Sequence, residues 1–286
     1  MHGNEEATSN RFDAERRSSH GGKIACDHAL TVLVPAYDEE HRLPKTLCGL
    51  AEFLDSSRID YRVLVVDDGS RDATASVSSQ FGRRFSTLRL GRQRGKGAAV
   101  RHGMLAATGD VVAFTDADLP YDLSALRSAY DWVKRGECEV VFGARDLRES
   151  ECHVRRKLSR TIASATFREV AKRLISPEVT DTQCGLKVFS RRAAREIFSR
   201  TVIDGFAFDA EVVLLCRRMK LPAQRIAVTL VNEYGSTLSL SRHAWRMLRD
   251  VIRVGLADRL RFGRIPPVRE WPESPAVGAE PRRKAA

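Results

Sequence analysis

The sequence predicts an α/β protein in which a mixed, mostly parallel sheet is flanked by helices. Short β-branched and apolar runs, typical of buried strands, alternate over residues 30–142 with segments whose apolar residues recur at helical spacing. Such alternation indicates right-handed β-α-β units, which build parallel sheets covered on both faces. The chain has 286 residues, of which 43% are hydrophobic, so it can bury one substantial core.

The elements of the first half are predicted in order along the chain. The predicted strands cover residues 30–35, 61–66, 87–90, 111–115 and 140–142. The predicted helices cover residues 42–54, 72–81, 97–107 and 124–134. Ligands of such folds bind beyond the carboxyl ends of the strands, so we expect the functional site at that edge of the sheet.

The composition restricts the partners. A formal net charge of +11 favours an anionic partner, which could be a nucleic acid, an anionic membrane surface or a phosphorylated substrate. The six cysteines form no Cys-x-x-Cys pair and are expected to be reduced thiols of a cytoplasmic protein. Residues 1–28 are polar and carry no secretory signal, and we expect them to be disordered. No apolar run reaches the roughly 18 to 20 residues needed to span a bilayer.

A separate amphipathic helix is predicted near the carboxyl end of the chain, over residues 236–264, after a main domain of residues 29–235 and before a flexible tail of residues 265–286. Its apolar face consists of Trp245, Leu248, Ile252, Leu256 and Leu260. A stripe of basic residues lies beside that face and consists of Arg242, Arg246, Arg249 and Arg253. The helix could pack its apolar face on the core, or lie in a membrane interface with its arginines against anionic headgroups.

The strongest local signal for chemistry is an Asp-x-Asp motif. Asp116 and Asp118 directly follow an apolar strand, where two carboxylates can offer hard oxygen ligands to Mg²⁺ or Mn²⁺. The alternative is an acidic turn that caps the next helix.

Three further polar segments follow predicted strands or open helices. Asp67 and Asp68 end the second strand, where a carboxylate can accept hydrogen bonds from a base or a ribose, although a tight turn would also explain them. Tyr37 and Glu39 follow the first strand. Lys96 lies in a glycine- and arginine-rich segment at a predicted helix start, which favours anions but lacks the P-loop spacing.

In this order the motifs resemble those of family 2 glycosyltransferases, which have the GT-A (Rossmann-like) fold. The family's hallmarks are a Pro-x-Tyr-Asn-Glu segment, a Val-Asp-Asp-Gly-Ser turn and an Asp-x-Asp metal site, and the resemblance covers roughly residues 30–234. This chain departs from the pattern at Asp38, where the family usually has asparagine. The resemblance implies a nucleotide-sugar site with Mg²⁺ or Mn²⁺ as cofactor. The implied donor-site residues are Pro35, Tyr37, Glu39, Asp67, Asp68, Lys96 and Asp116, with Asp116 and Asp118 as the metal ligands.

The second half resembles dolichyl- and polyprenyl-phosphate glucosyltransferases. The similar segments are Gly143-Ala144-Arg145, Asp181-Thr182-Gln183-Cys184-Gly185-Leu186-Lys187 and the Gly-Phe-x-Phe-Asp-x-Glu of residues 205–211. This resemblance implies inverting transfer of a hexose, best matched by glucose from UDP-glucose, to a polyprenyl or dolichyl phosphate. Asp118 and Arg145 are the expected catalytic residues. The residues expected to contact the acceptor phosphate are Arg155, Arg156, Gln183, Lys187 and Glu211.

A phosphate acceptor is already anionic and needs a cationic cradle rather than a general base, whereas a hydroxyl acceptor would need a base such as Asp209 or Glu211. GDP-mannose is an alternative donor. A nucleic-acid-binding protein is disfavoured because acids cluster at the expected site and no aromatic-basic module appears. A catalytically silent sugar-nucleotide-binding protein is disfavoured by the Asp-x-Asp pair. We expect a peripheral protein on the cytoplasmic face of a membrane.

Overall fold

The computed structural model describes residues 28–147, 149, 150, 181–231 and 240–262, with the backbone alone at residues 240–246, 259, 261 and 262. The segment predicted to be disordered lies outside these ranges except for His28, whose ring is buried and bonds to Thr31 Oγ1 at 2.7 Å. Arg155 and Arg156, expected at the acceptor phosphate, and the predicted tail also lie outside the described residues.

The described residues form seven strands and seven α-helices. The strands are β1 (Leu30–Ala36), β2 (Tyr61–Asp67), β3 (Phe85–Arg89), β4 (Val111–Phe114), β5 (Val140–Ala144), β6 (Lys187–Ser190) and β7 (Ala223–Ala227). The helices are α1 (Leu43–Ser56), α2 (Thr74–Val77), α3 (Lys96–Ala106), α4 (Ser124–Lys134), α5 (Arg191–Phe198), α6 (Phe208–Arg218) and α7 (Leu240–Phe262).

One predicted helix, over residues 72–81, differs from the structure. It is split into the single turn of α2 and a 3₁₀ helix over Ser78–Phe81. The hydroxyls of Ser76 and Ser79 donate to the carbonyl oxygens of Ala73 and Ser76, at 2.8 and 2.6 Å. Serine hydroxyls compete in this way with the helical backbone pattern, so a serine-rich stretch forms a weaker helix than its apolar spacing suggests.

The strands form one sheet in the order β3-β2-β1-β4-β6-β5-β7. All neighbouring strands are parallel except β6, which is antiparallel to both β4 and β5. The predicted mixed, mostly parallel sheet is therefore confirmed. Because β6 runs in the opposite direction, it begins at the edge where the other strands end. The segment that precedes β6 is thereby brought to that edge.

Apolar side chains fill both faces of the sheet. Alternate residues of each strand point to opposite faces, so Val111 and Ala113 join one cluster while Val112 and Phe114 join the other. Helices α1 and α4 cover the first face, and α3, α5 and α6 cover the second. The leucines predicted to line α1 are fully buried on the first face: Leu43, Leu47, Leu50 and Leu54.

Helix α7 packs on the second face through a different set of residues from the one predicted. Val251 is fully buried there and Met247 and Val254 pack beside it. Asp258 accepts hydrogen bonds from Arg218 of α6 at 2.5 to 3.0 Å, which ties the two helices together. Positions 247, 251, 254 and 258 share one helical face, because 3.6 residues complete a turn.

Three residues of the apolar face predicted for α7 remain at the surface. Ile252 is 36% exposed, Leu256 47% and Leu260 88%. For these three residues the structure excludes the core-packing alternative, since other residues occupy the core-facing side of the helix. Within the described part of the chain, no helix is both long enough and apolar enough to cross a membrane.

Candidate active site

The polar motifs meet at the edge of the sheet where the parallel strands end. Asp67 is the last residue of β2, Asp116 follows β4 by two residues and Arg145 follows β5 directly. The segment over residues 181–186 reaches the same edge because β6 starts there. The topology thus brings the predicted motifs to the edge of the sheet where we expect the site.

Asp38 stands where the family that the sequence resembles usually has asparagine, and it connects the ends of β1 and β2. Its φ is +52°, in the left-handed region that Asn and Asp tolerate best among non-glycine residues. Its Oδ1 accepts a hydrogen bond from the Arg71 N–H at 2.8 Å, and its own N–H donates to Ser70 Oγ at 3.0 Å. An asparagine has the same acceptor oxygen, so this departure preserves the connection between the ends of β1 and β2.

The two acids at the end of β2 organise loops. Asp68 is buried, and its carboxylate accepts the N–H groups of Arg94 and Gly95 at 2.9 and 2.8 Å. Burial nevertheless raises the pKa of Asp68 above its ordinary value, although these backbone hydrogen bonds oppose the rise. Asp67 is fully buried; its Oδ1 accepts the N–H of Ser70 at 2.9 Å.

Asp67, which we expect to contact the nucleoside, is enclosed by the protein in this structure. Its second oxygen pairs with Arg89 at 3.1 Å, and the whole side chain is shielded from the surface. Pro35 is likewise buried within β1, where it lies opposite Val66. Tyr37, which follows β1, is half-buried at the site edge.

Glu39 connects the first motif to the Asp-x-Asp pair. Its carboxylate forms two hydrogen bonds of 2.6 Å with the guanidinium of Arg42. Burial, reinforced by the negative charge of Asp118, raises the pKa of Glu39 in spite of Arg42. The fold thus brings the charge of Asp118 close enough to Glu39 to affect its pKa.

Lys96, at the start of α3, forms a close ion pair with Asp116, with Nζ 2.5 Å from Oδ1. Burial favours the neutral form of each group, but the pair outweighs it: the pKa of Asp116 is lowered and that of Lys96 is raised. The other oxygen of Asp116 lies against Gly185, where a Cβ would come within 2.1 Å of Oδ2. The sequence did not single out Gly185, which serves here by having no side chain.

Asp118 completes a carboxylate pair suited to a divalent cation. Its pKa is raised, first by burial and then by the charge of Asp116. Two acids that repel each other in a partly buried site favour a cation between them. Within the described residues no group of three or more His, Cys, Asp or Glu side chains could hold a metal ion. Mg²⁺ typically uses one or two carboxylates together with substrate phosphate oxygens, and this pair fits that ligand set.

Asp181 holds Arg145 in place. Asp181 belongs to the segment of residues 181–186 that precedes β6, which we call the marker segment. The backbone N–H and Nε of Arg145 donate to Asp181 Oδ2 at 3.0 and 2.7 Å, and Nη2 donates to Oδ1 at 2.6 Å. Burial opposes ionisation of Asp181, but Arg145 outweighs it and lowers the pKa of the carboxyl. The charge of Arg145 also contributes to the low pKa of Asp116. Gln183 stands nearby, and its Nε2 donates to the carbonyl oxygen of Phe206 at 3.5 Å.

Lys187 and Glu211, which we expect at the acceptor phosphate, both form contacts inside the protein. Lys187 is buried, and its Nζ donates to Asp209 Oδ1 at 2.6 Å and to the carbonyl oxygen of Cys184 at 2.7 Å. Glu211 is buried, and its two oxygens accept the N–H groups of Val202 and Ile203, each at 2.9 Å. In this structure both side chains are used inside the protein, and their contact with the acceptor stays a prediction.

A further residue, Asp204, was missed by sequence reasoning. It pairs with Arg94 at 3.1 Å and with Arg101, and its carbonyl oxygen accepts the N–H of Ala98 at 3.1 Å. These contacts fasten the loop before α6 to the start of α3, beside Gly95. No local pattern marks this acid, because its partners lie more than 100 residues away in the chain.

A mixed sheet with this strand order and a carboxylate pair beyond its central strand defines a glycosyltransferase of the GT-A class. A family model described as Glycosyl transferase family 2 matches residues 31–198, and the chain belongs to this family. The family and the fold predicted from the motifs are thereby confirmed.

Curated relatives and solved structures agree. A dolichyl-phosphate β-glucosyltransferase of Drosophila melanogaster is 35% identical over 243 residues, covering 79% of this chain and 74% of the relative. A human protein of the same name is 31% identical over 225 residues, covering 73% and 69%. The glucosyl-3-phosphoglycerate synthase of Mycobacterium tuberculosis, solved with Mn²⁺, UDP-glucose and phosphoglyceric acid, superposes with a TM-score of 0.61 at 18% identity, covering 81% and 79%, and shares the fold.

Proposed function

We propose that this glycosyltransferase is metal-dependent and inverting, and that it transfers glucose from UDP-glucose to a dolichyl or polyprenyl phosphate. The observation that carries the proposal is the contact between the marker segment and the donor site. The segment shared with dolichyl-phosphate glucosyltransferases places Gly185 against Asp116 and Asp181 against Arg145. Relatives with that name match the chain at 27 to 35% identity.

On the donor side, Asp116 and Asp118 would hold Mg²⁺ or Mn²⁺ with the donor's diphosphate. The metal would supply neutralisation of the charge that develops on the departing nucleotide. The chain's own contribution is a set of cations at the same edge, of which Arg145 is held rigidly by Asp181. Rigid donors that are already oriented lose little energy to reorganisation during the reaction. A fold relative solved with Mn²⁺ and UDP-glucose supports this class of donor.

On the acceptor side, the burial of two acids favours a phosphate over a hydroxyl. A hydroxyl acceptor would need a carboxylate base, for which Asp209 and Glu211 are the candidates. Asp209 is paired with Lys187 and Glu211 is bonded to two backbone N–H groups, and both are buried. Neither is presented to a substrate oxygen. A phosphate monoester needs no base, because its attacking oxygen is already ionised near neutral pH.

The lipid acceptor places the protein at a membrane surface, and α7 offers the contact. Its exposed residues Ile252, Leu256 and Leu260 lie beside the exposed arginines Arg249 and Arg253. An apolar ridge flanked by arginines suits an interface with anionic headgroups. The proposed location is peripheral, on the cytoplasmic face.

The proposal is tested by incubating the purified protein with labelled UDP-glucose, Mn²⁺ and a short polyprenyl phosphate, followed by extraction of the lipid. We expect label in the lipid phase, its loss with EDTA and its return with Mg²⁺ or Mn²⁺. A parallel reaction with the matching polyprenol tests the hydroxyl alternative, and one with GDP-mannose tests the other donor. Failure to label either lipid with any common nucleotide sugar would contradict the proposal.

A further inference from the structure

Lys96 holds Oδ1 of Asp116, one of the two oxygens through which this carboxylate could bind a metal ion. Its ammonium lies 2.5 Å from Oδ1, while Oδ2 is flanked by the backbone of Gly185. Mg²⁺ binds carboxylate oxygens at about 2.0–2.1 Å and repels a neighbouring ammonium. The ion pair and a metal bond at Oδ1 therefore compete for the same site.

The position of Lys96 allows its ammonium to move away from Asp116. It is the first residue of α3, and its flexible side chain reaches Asp116 from the end of a helix whose N-terminus faces the site. Its Nζ also lies 6.0 Å from the ring centroid of Phe208, so the cation has an aromatic face within reach. A lysine at this position can turn toward a bound anion without a change in the backbone.

We propose that Lys96 neutralises Asp116 when no substrate is bound. When a metal ion takes its place on this carboxylate, the ammonium of Lys96 turns to the donor diphosphate. We call this change of partner the exchange. This inference rests on the proposed function, since it requires a metal–diphosphate donor. It assigns Lys96 to the coupling between metal and nucleotide, beyond a position near the nucleoside.

The exchange makes metal and nucleotide bind cooperatively. Binding of a metal ion alone would break the Lys96–Asp116 pair, and the ammonium would lose the carboxylate it is paired with. With the diphosphate present, the displaced ammonium has an anionic partner. The affinity of each ligand is then raised by the other by the same factor, as reciprocity requires.

The test measures Mn²⁺ binding by electron paramagnetic resonance of the free ion, with and without UDP, in the wild type and in Lys96→Met. In the variant we expect Mn²⁺ alone to bind about tenfold more tightly, and the factor by which UDP tightens Mn²⁺ binding to shrink by a similar ratio. Lys134→Met is the matched control. It removes one charge from an ion pair with Asp110 at the opposite edge of the sheet, so both affinities should stay at the wild-type values.

The outcomes separate the two proposals. If the wild type binds Mn²⁺ with UDP but Lys96→Met binds Mn²⁺ alone no more tightly, the exchange is overturned while the proposed function stands. If the wild type binds no Mn²⁺ even with UDP, the proposed function fails and the exchange fails with it.

A second measurement on the wild type does not depend on the folding of a variant. The acetylation rate of Lys96 by acetic anhydride is followed by mass spectrometry. Saturating Mn²⁺ should raise the rate, because the ammonium is released from Asp116, and adding UDP should lower it again. An acetylation rate that does not change with saturating Mn²⁺ would overturn the exchange.

Discussion

Asp116 and Gly185 touch at the edge of the sheet where β4 ends and its neighbour β6 begins. A Cβ at position 185 would stand 2.1 Å from Asp116 Oδ2 and 2.6 Å from its Cγ, so only glycine allows the observed carboxylate position. This contact makes the segment before β6 a wall of the metal site.

Replacing that glycine should displace the carboxylate. We expect Gly185→Ala to lower kcat/KM by about a hundredfold, because a shift of about 1 Å at a catalytic group has such an effect. The added methyl group should also lower stability by about 1–3 kcal/mol. The control is Gly91→Ala, where no atom lies within 4 Å of the added Cβ. Kinetics and thermal unfolding of both variants check the prediction, which fails if Gly185→Ala binds Mn²⁺ and turns over like the wild type.

Asp118 is expected to serve catalysis at a cost to stability. We expect Asp118→Asn to reduce kcat by at least about a hundredfold, as the loss of a key electrostatic group does. Its Tm should stay equal or rise, since burial and Asp116 already disfavour the charged form of Asp118. The exposed Asp122, which caps the start of α4 through the N–H of Ser124, gives the control variant Asp122→Asn. A clear fall in the Tm of Asp118→Asn would point to a structural role instead.

The Arg145–Asp181 pair predicts a pH-dependent loss of stability. The folded pKa of Asp181 lies below its ordinary value of 3.8, so the pair's stabilisation is complete above that pH and disappears as the pH falls through the folded pKa. Arg145→Met leaves a buried carboxylate whose pKa burial would raise, at a cost of about 3 kcal/mol near pH 7. The difference in Tm from the wild type should narrow below about pH 4. A difference that stays constant from pH 7 to pH 3.5 would contradict the assignment.

Lys187 and Asp209 should behave as one structural unit. We expect Lys187→Met to lower stability by about 3–5 kcal/mol, because Asp209 would be left buried without its partner. The double variant Lys187→Met/Asp209→Leu should be more stable than the sum of the single changes implies, by about 0.5–3 kcal/mol. Chemical denaturation of the four proteins completes the cycle. A stable Lys187→Met protein with a raised KM for the lipid acceptor would support the predicted acceptor contact.

The exposed ridge of α7 should control attachment to membranes. We expect Leu256→Ser/Leu260→Ser to weaken sedimentation with phosphatidylserine vesicles by at least about tenfold, with no change in Tm. Val202→Ser is the control, since Val202 is 72% exposed but lies in the loop before α6. Binding should also weaken with added salt as the contribution of the arginines is screened. Equal binding by the ridge variant and the control would remove α7 from the membrane contact.

Much of the fold followed from patterns that are local in the chain. The apolar runs of β1 and β2 and the helical spacing of Leu43 to Leu54 predicted their elements closely, because burial on one face imposes a short period on the sequence. The antiparallel direction of β6 was not predicted, since a buried strand shows the same run of apolar residues in either direction. The orientation of α7 was left open between the core and a membrane interface, because two apolar stripes compete on its surface and only packing selects one.

Sequence alone determined the class of the protein and the edge of the sheet that carries the site. An apolar strand followed directly by Asp116 and Asp118 can present those acids only beyond the carboxyl end of that strand. Tertiary structure decided which charged groups face a ligand and which are used within the protein. The carboxylates of Asp67 and Glu211 and the ammonium of Lys187 are charged like their neighbours at the site. These three groups are buried, however, and form hydrogen bonds within the protein. A charged group is buried only where a partner compensates the loss of water. For Lys187 that partner is Asp209, which the fold brings beside it.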